Sequence, residues 1–287
     1  MVKRTRRRFR LRRRRLNLKR TLFLLPNLIT LSSVFCGFYA MVVATQAVNE
    51  DDYYRAALLV VFAMFFDMLD GRVARMTKTE SAFGLQIDSL ADVVSFGAAP
   101  ALLMYLWTLH QLGTLGVVAC FAYVACGAIR LARFNVLSTA PSGAPAKPGK
   151  YIVGLPIPCA AGILVSIIVA NSAAQGAFGG RRYAGILLFV TALLAFLMVS
   201  SIRFRSFKDL KLNTRTLAVV AFAIGTSTAI AVQLEAAFVL VWLLGFYVLM
   251  GIFEWLWHIP RRLRERTLPV AAALPVREST VSKPPEE

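Results

Sequence analysis

The sequence has 287 residues, is 57% hydrophobic and has a mean hydropathy of +0.62, which excludes an ordinary soluble domain and indicates a polytopic membrane protein. Its net charge of +18 is concentrated in the first twenty residues, twelve of which are Lys or Arg. A basic block can bind nucleic acid, but beside a membrane span it more often marks the cytoplasmic side and binds anionic lipid. We therefore predict a basic cytoplasmic arm over residues 1–21 that contacts lipid, and no nucleic-acid partner.

Apolar runs long enough for membrane helices follow the arm. We predict an all-α fold with about eight transmembrane helices and with both termini in the cytoplasm. The approximate bounds of these helices are residues 28–48, 53–75, 82–107, 113–133, 154–171, 184–202, 216–232 and 236–257. The transmembrane domain then covers residues 22–258, and the polar, Pro-rich residues 259–287 form a tail that we expect to be disordered.

The first span is expected to open at Leu25-Pro26-Asn27, because proline is well accommodated in the first turn of a helix. Asn27 and Thr30 are three residues apart, so they share a face. Their polar groups could either reach a cavity at headgroup level or cap the helix, and the sequence leaves both open. The stretch Asn49-Glu50-Asp51-Asp52 is predicted to form an acidic loop on the non-cytoplasmic side.

Four carboxylates lie in the second and third predicted spans: Asp67, Asp70, Asp88 and Asp92. Each pair is spaced three or four residues apart, so its members share a helix face. One Asp at the centre of a spanning helix costs roughly 2.5–3.5 kcal/mol, and the nearby arginines are too few to balance four of them. A short link makes the two helices antiparallel neighbours, which brings the pairs together near the cytoplasmic boundary. Carboxylate oxygens at this density are typical ligands of divalent cations.

The order of these residues forms a longer pattern. It is Asp67-x2-Asp70-Gly71-x2-Ala74-Arg75-x8-Gly84-x3-Asp88-x3-Asp92. This pattern resembles the signature of the CDP-alcohol phosphotransferase family, whose members join an alcohol to a phosphate of a CDP-activated partner and release CMP. The alternative is a set of buried acids that pair with stray basic residues.

The resemblance implies the roles of the site residues. Two divalent cations, Mg²⁺ or Mn²⁺, would be held by Asp67, Asp70, Asp88 and Asp92, and Asp92 would also be the base that takes the proton of the acceptor alcohol. Contacts with the CDP-linked substrate would come from Asn27, Thr30, Gly71, Arg75 and Ser81. The resemblance also implies a homodimer.

The flanking segments are similar to the bacterial family members that use L-serine. They are Pro26-Asn27-Leu28-Ile29-Thr30, residues 87–100, residues 130–135 and Gly154-Leu155-Pro156-Ile157-Pro158. This similarity covers roughly residues 22–260 and implies CDP-diacylglycerol and L-serine as substrates, with an active site that faces the cytoplasm in the bacterial inner membrane. Arg130 and Arg133 lie one turn apart, and they are either positive anchors on the cytoplasmic side or the cations for the serine carboxylate.

Other functions remain open from the sequence. The acceptor could instead be glycerol 3-phosphate or inositol phosphate. Each carries an extra phosphate and needs a denser basic pocket, which Lys147 and Lys150 could form together with Arg130 and Arg133. An ion-coupled transporter could use buried acids as a cation site, but it predicts inverted repeats with acids in both halves. The acid cluster here is confined to the second and third predicted spans.

Overall fold

The computed structural model describes residues 18–77, 79, 81–138, 151–205, 222–223, 225–231 and 237–266. Its helices are α1 (Leu18–Thr45), α2 (Glu50–Thr77), α3 (Ala82–Asp92), α4 (Ala99–Trp107), α5 (Thr114–Ser138), α6 (Ile157–Ala173), α7 (Arg181–Val199) and α8 (Ala237–Arg266). A π-helix, Val93–Ala98, joins α3 to α4 and is called the π-segment below, and a 3₁₀ turn, Leu109–Leu112, follows α4. The predicted all-α class is confirmed, with one addition: the strands β1 (Tyr151–Val153) and β2 (Arg203–Arg205) pair antiparallel, Ile152 opposite Phe204.

Four described helical stretches are long and apolar enough to cross a membrane: Leu25–Thr45, Ala82–Trp107, Thr114–Leu137 and Arg181–Val199. Two shorter apolar helices cover Ile157–Ala173 and Ala237–Phe253. Helix α2 has 28 residues, but it has too many charged side chains to belong to the stretches that are apolar enough to cross a membrane. These stretches support an integral membrane protein, and the count of about eight spans stays a prediction.

The start of α1 corrects the first predicted span. The helix begins at Leu18, so Pro26 lies inside it, although the apolar stretch begins at Leu25. The side chain of Thr30 donates a hydrogen bond to the carbonyl of Pro26 over 3.1 Å. Asn27 and Thr30 therefore lie within the helix, and the alternative that they cap it is wrong.

The acidic residues 50–52 are also corrected, because they form the first turn of α2 instead of a link. The side-chain oxygen of Asn49 accepts a hydrogen bond from the Asp52 amide over 3.1 Å, and an Asp52 carboxylate oxygen accepts one from the Val48 amide over 3.0 Å. Side chains that satisfy the free amides, and negative charges beside the positive end of the helix dipole, both stabilise a helix start.

The π-segment is held between α1 and α5. Gly37 of α1 crosses it so closely that an added Cβ would lie 2.7 Å from the Cα of Ser95. The Ser95 hydroxyl donates to the carbonyl of Ser33 over 3.1 Å, and the hydroxyl of Tyr123 on α5 donates to the carbonyl of Phe96 over 3.2 Å. These contacts fix the helix turn that directly follows Asp92.

A polar group joins three helices at the start of α2. One carboxylate oxygen of Glu50 accepts hydrogen bonds from the indole of Trp107 on α4 over 2.9 Å and from the amide of Asn171 on α6 over 2.6 Å. The side-chain oxygen of Asn171 accepts from the Phe178 amide over 2.8 Å. We call Glu50, Trp107 and Asn171 the outer clamp. At 1.5 Å per residue it lies about 25 Å along α2 from Asp67.

The fifth predicted span begins as expected. Gly154 has a φ of +80°, and α6 starts at Ile157 just after Pro156. The amide of Gly154 donates to the carbonyl of Ile202 over 2.8 Å, which fixes the entry to α6 beside the end of α7. Residues 1–17 of the basic arm, Lys147, Lys150 and the tail from residue 267 lie outside the described residues.

Candidate functional site

The end of α2 and the start of α3 bring three of the predicted acids together. Asp67, Asp70 and Asp88 each present a carboxylate oxygen, and these oxygens all lie within 4.8 Å of one another. Helix α2 ends at Thr77 and α3 begins at Ala82, so the intervening link is short, as the sequence predicted. Asp70 is only 3% exposed, and one of its oxygens is buried without a hydrogen-bond partner.

Asp92 lies one turn beyond Asp88 on α3, at the deeper edge of this group. It is 9% exposed, its carboxyl lies against that of Asp67, and one of its oxygens is buried without a hydrogen-bond partner. The four predicted acids therefore form one site. Three of them meet as a triad, and Asp92 adjoins the triad through Asp67.

In the part of the chain that the structure describes, no ion pair balances the charge of the acid triad. Across the described part of the chain the one ion pair, of 3.8 Å, joins Arg55 and Asp52 and lies elsewhere on α2. Two carboxylates 4.8 Å apart repel by on the order of 3 kcal/mol at an effective dielectric constant of 20. Closely spaced carboxylates with buried, unpartnered oxygens suit a hard divalent cation. The residues present thus have the donor chemistry that the family's metal requires.

Helix α1 forms one wall of the site through both polar residues that the sequence singled out. Thr30 is 5% exposed and lies next to the carboxylate of Asp70. The side-chain oxygen of Asn27 lies 3.8 Å from the position that a Cβ on Gly84 would occupy. Both residues therefore face the acid-bearing ends of α2 and α3.

Gly71, Arg75 and Ser81 lie at the more exposed edge. An added Cβ on Gly71 would meet only the guanidinium of Arg75, at 3.7 Å, which is an ordinary contact. The space beside Gly71 is therefore not filled by backbone. The side chain of Ser81 accepts a hydrogen bond from the Gly84 amide over 3.0 Å and caps the start of α3, a structural role that sequence reasoning did not assign to it.

The two candidate arginines differ in their surroundings. Arg130 is 9% exposed, lies beside Asp92, and has its Nε buried without a hydrogen-bond partner. Arg133, one turn later on α5, is exposed. Of the two, the structure brings Arg130 to the acids and leaves Arg133 at the surface.

A contact between α3 and α5 was missed by the sequence analysis. The amide nitrogen of Asn135 donates to the hydroxyl of Ser89 over 2.9 Å and to the side-chain oxygen of Gln86 over 3.4 Å. Ser89 lies between Asp88 and Asp92, so this contact fixes the acid-bearing face of α3 relative to α5. The available signal was a polar residue between two acids on a helix and an Asn at the end of the next span.

An open apolar groove of about 510 Å³ lies between α1 and α2. It is lined by Leu28, Leu31, Ser32, Phe35, Cys36 and Phe66. Phe66 precedes Asp67, and Leu28 follows Asn27, so the groove adjoins the polar site along both helices. A ligand with a charged head and an apolar chain could occupy both.

Comparison with known proteins agrees with this geometry. Residues 23–197 match the family model described as CDP-alcohol phosphatidyltransferase. The chain belongs to this family. The family membership that the aspartate signature predicted is thereby confirmed, and the match ends before α8.

Several curated proteins are similar to this family member over most of its length. It is 37% identical to the CDP-diacylglycerol–serine O-phosphatidyltransferase of Helicobacter pylori over 235 residues, which cover 82% of this chain and 92% of that protein. It is 33% identical to the enzyme of the same name from Bacillus subtilis, over 64% of this chain and 91% of that protein. It is 30% identical to the enzyme of the same name from Mycobacterium tuberculosis, over 85% of this chain and 79% of that protein.

Proposed function

We propose that this membrane protein transfers the phosphatidyl group of CDP-diacylglycerol to the hydroxyl of L-serine, forming phosphatidylserine and CMP. The observation that carries the proposal is the meeting of Asp67, Asp70 and Asp88 within 4.8 Å, with Asp92 one turn away. The serine acceptor is supported by the relatives, which are named CDP-diacylglycerol–serine O-phosphatidyltransferases.

The acid triad is the proposed metal site. Asp67, Asp70 and Asp88 would hold two divalent cations, Mg²⁺ or Mn²⁺, and Asp92 adjoins them through Asp67. When bound, such cations neutralise the diphosphate of the donor and the charge that develops on the departing CMP. Four carboxylates supply enough oxygen ligands for this role.

The proposed transfer is direct. The hydroxyl oxygen of serine attacks the phosphorus that bears the diacylglycerol group, and the bond from this phosphorus to the oxygen bridging to CMP breaks. Asp92 accepts the proton of the serine hydroxyl, because an alcohol is a weak nucleophile at neutral pH. The bridging oxygen leaves with the CMP phosphate. No covalent enzyme intermediate forms.

The donor is proposed to lie across α1 and α2. The open space beside Gly71 gives the diphosphate access to the backbone, and Arg75 adjoins that space. Asn27 and Thr30 face the acids from α1, and Ser81 adjoins the same edge. The groove between α1 and α2 would take part of the diacylglycerol.

The serine carboxylate is proposed to bind Arg130. Among the residues whose side-chain burial the structure describes, Arg130 is the one Lys or Arg that is buried, and it lies beside the proposed base Asp92. One buried cation matches one carboxylate better than the extra phosphate of glycerol 3-phosphate or inositol phosphate. Arg133 remains a predicted contributor.

The remaining proposals concern the setting of the enzyme. The Lys and Arg residues of the arm and of residues 203–215 support an orientation with the active site and both termini in the cytoplasm, in a bacterial inner membrane. The arm, residues 1–21, would bind anionic lipid, and residues 22–258 and 259–287 would be the catalytic domain and the tail. The family resemblance supports a homodimer.

The decisive experiment is CMP release by the purified protein with CDP-diacylglycerol and Mg²⁺ or Mn²⁺. Serine, glycerol 3-phosphate and inositol phosphate are supplied separately. We expect CMP release with serine. In Asp92→Asn the rate of release should fall at least 100-fold, because the base is removed. Asp51→Asn, a matched change at an exposed acid of α2, should leave the rate unchanged. Release with another acceptor alone would overturn the serine assignment, and no release with any acceptor would overturn the transfer.

A further inference from the structure

Helix α8 lies outside the residues that match the family model, and it packs against α6. The match ends at residue 197, whereas α8 begins at Ala237. The helix contacts α6, and α6 follows the arginine-bearing helix α5 in the chain.

The register of α8 on α6 is set by a close contact. A Cβ added to Gly162 would lie 2.9 Å from a methyl group of Leu244, so Gly162 provides the space into which Leu244 packs. Val248, one turn beyond Leu244, is 7% exposed. Tyr247 is three residues after Leu244 and shares its face. The contact at Gly162 thus directs Tyr247 toward α6.

Tyr247 lies near Arg130, which in turn lies beside Asp92 of the acid site. Its phenol lies near Arg130 of α5 and near Cys159, which is one turn before Gly162 on α6. Cys159 and Arg130 also lie near each other. Side chains of α5, α6 and α8 are therefore close together around the guanidinium of Arg130.

Arg130 is placed to hold an anion. It lies beside Asp92, but no ion pair joins the two among the residues that the structure describes, and its Nε is buried without a partner. A buried guanidinium is costly unless its N–H groups have acceptors. The phenol oxygen of a neighbouring tyrosine is such an acceptor, and it leaves the other edge of the guanidinium for a ligand.

We propose that Tyr247 is a positioning residue that orients Arg130 toward the carboxylate of the acceptor, so that α8 completes the acceptor pocket between Asp92 and Arg130. The ligand class is a small alcohol that carries a carboxylate. This inference rests on the proposed function, because it deepens the acceptor site of the same reaction. Tyr247 acts through Arg130 and does not touch the reacting atoms.

The test is the variant Tyr247→Phe, which keeps the ring and removes the hydroxyl. Because a hydrogen bond to a charged group is lost, we expect the KM for serine to rise about tenfold. The KM for CDP-diacylglycerol and kcat at saturating serine stay within twofold. Ethanolamine, which is serine without its carboxylate, is the second acceptor, and its rate is expected to be the same in both proteins.

Two controls separate this role from packing. Leu249→Ala changes a side chain of α8 that is 64% exposed, and Tyr183→Phe removes a hydroxyl at the start of α7. Both should leave the KM for serine unchanged. Equal increases in the KM of serine and of CDP-diacylglycerol in Tyr247→Phe, or a lower kcat with a lowered melting temperature, would show a structural role and overturn the proposal.

The two proposals fail in different ways. If the parent protein releases no CMP with serine, the proposed function fails, whatever Tyr247 does. If the parent protein is active with serine and the KM of Tyr247→Phe is unchanged while that of Arg130→Ala rises, only the role of Tyr247 fails. Serine-dependent protection against thermal unfolding gives a second readout, and this protection should weaken in Tyr247→Phe.

Discussion

Arg130 and Arg133 are chemically identical and one turn apart, but they differ in burial, and we expect different functions from them. A guanidinium beside Asp92 in a buried site interacts strongly with a carboxylate, whereas an exposed one is screened by water and salt. We predict that Arg130→Ala raises the KM for serine by about 100-fold, consistent with the loss of a charge-assisted bidentate contact. We expect a rise of about threefold or less in Arg133→Ala, as for an exposed ion pair.

Steady-state kinetics with each substrate varied in turn would check this pair of variants. The KM for CDP-diacylglycerol is the internal control and should change little in either variant. A larger effect of Arg133→Ala than of Arg130→Ala on serine would contradict the assignment and would place the carboxylate nearer the surface.

Gly71 and Gly37 both lie in helices, but the absence of a side chain has a different consequence at each. At Gly71 it leaves space beside the helix, and at Gly37 it allows close packing against the π-segment. A Cβ on Gly71 meets only the flexible Arg75, whereas a Cβ on Gly37 would lie 2.7 Å from the backbone of Ser95. We predict that Gly71→Ala folds normally but raises the KM for CDP-diacylglycerol about tenfold or more, because the methyl group occupies the space proposed for the diphosphate. Gly37→Ala should instead destabilise the protein by about 1–3 kcal/mol through overpacking.

Thermal unfolding in detergent and substrate kinetics, measured on both variants, would separate these effects. Gly71→Ala should keep the melting temperature of the parent protein, and Gly37→Ala should lower it. A Gly71→Ala protein with unchanged kinetics would mean that the donor does not use the space beside α2.

At the scale of the element, the sequence was sufficient to predict how the acid-bearing helices α2 and α3 are arranged. The three- and four-residue spacing of the acids fixed their faces, and the short link after α2 fixed the antiparallel arrangement, so the triad of Asp67, Asp70 and Asp88 follows from local rules. The residues around Arg130 cannot be predicted from such local rules. Tyr247 is more than a hundred residues away, and its register depends on how Leu244 packs at Gly162.

The start of α2 was mispredicted although its signal is present. The stretch of residues 49–52, with its three consecutive acids, was interpreted as a loop on the non-cytoplasmic side. Asn49 followed three residues later by Asp52 is a capping arrangement, and the structure has the matching hydrogen bonds. Acids directly after such a cap belong to the helix, because they face the positive end of its dipole.

At the scale of the whole molecule, the outer clamp and the acid site lie at opposite ends of α2. The clamp fixes α2 to α4 and α6 through Glu50, Trp107 and Asn171. We predict that Asn171→Leu, which keeps the volume but removes the amide, lowers the free energy of unfolding by about 1–3 kcal/mol because Glu50 and the Phe178 amide lose a partner. The activity of the folded fraction should be unchanged.

Denaturant or thermal unfolding, combined with CMP release below the transition, would check this separation. Ser172→Ala, at an exposed neighbouring position, is the matched control and should leave the unfolding transition where it is. A loss of kcat in Asn171→Leu at full folding would indicate that the clamp transmits its geometry along α2 to the acids.

The π-segment makes chain length a determinant of the site. A π-helix holds one more residue than the α-helical turn it replaces, and each residue of an α-helix turns the chain by about 100°. The segment already absorbs one extra residue in its wide turn, so one further alanine inserted after Val94 should rotate α3 by about that angle relative to Pro100 and α4. The carboxylates of Asp88 and Asp92 would then point away from Asp67, and Mn²⁺ binding should be lost with every aspartate still present. The six residues from Val93 to Ala98 thus act as a spacer whose length matters more than its composition.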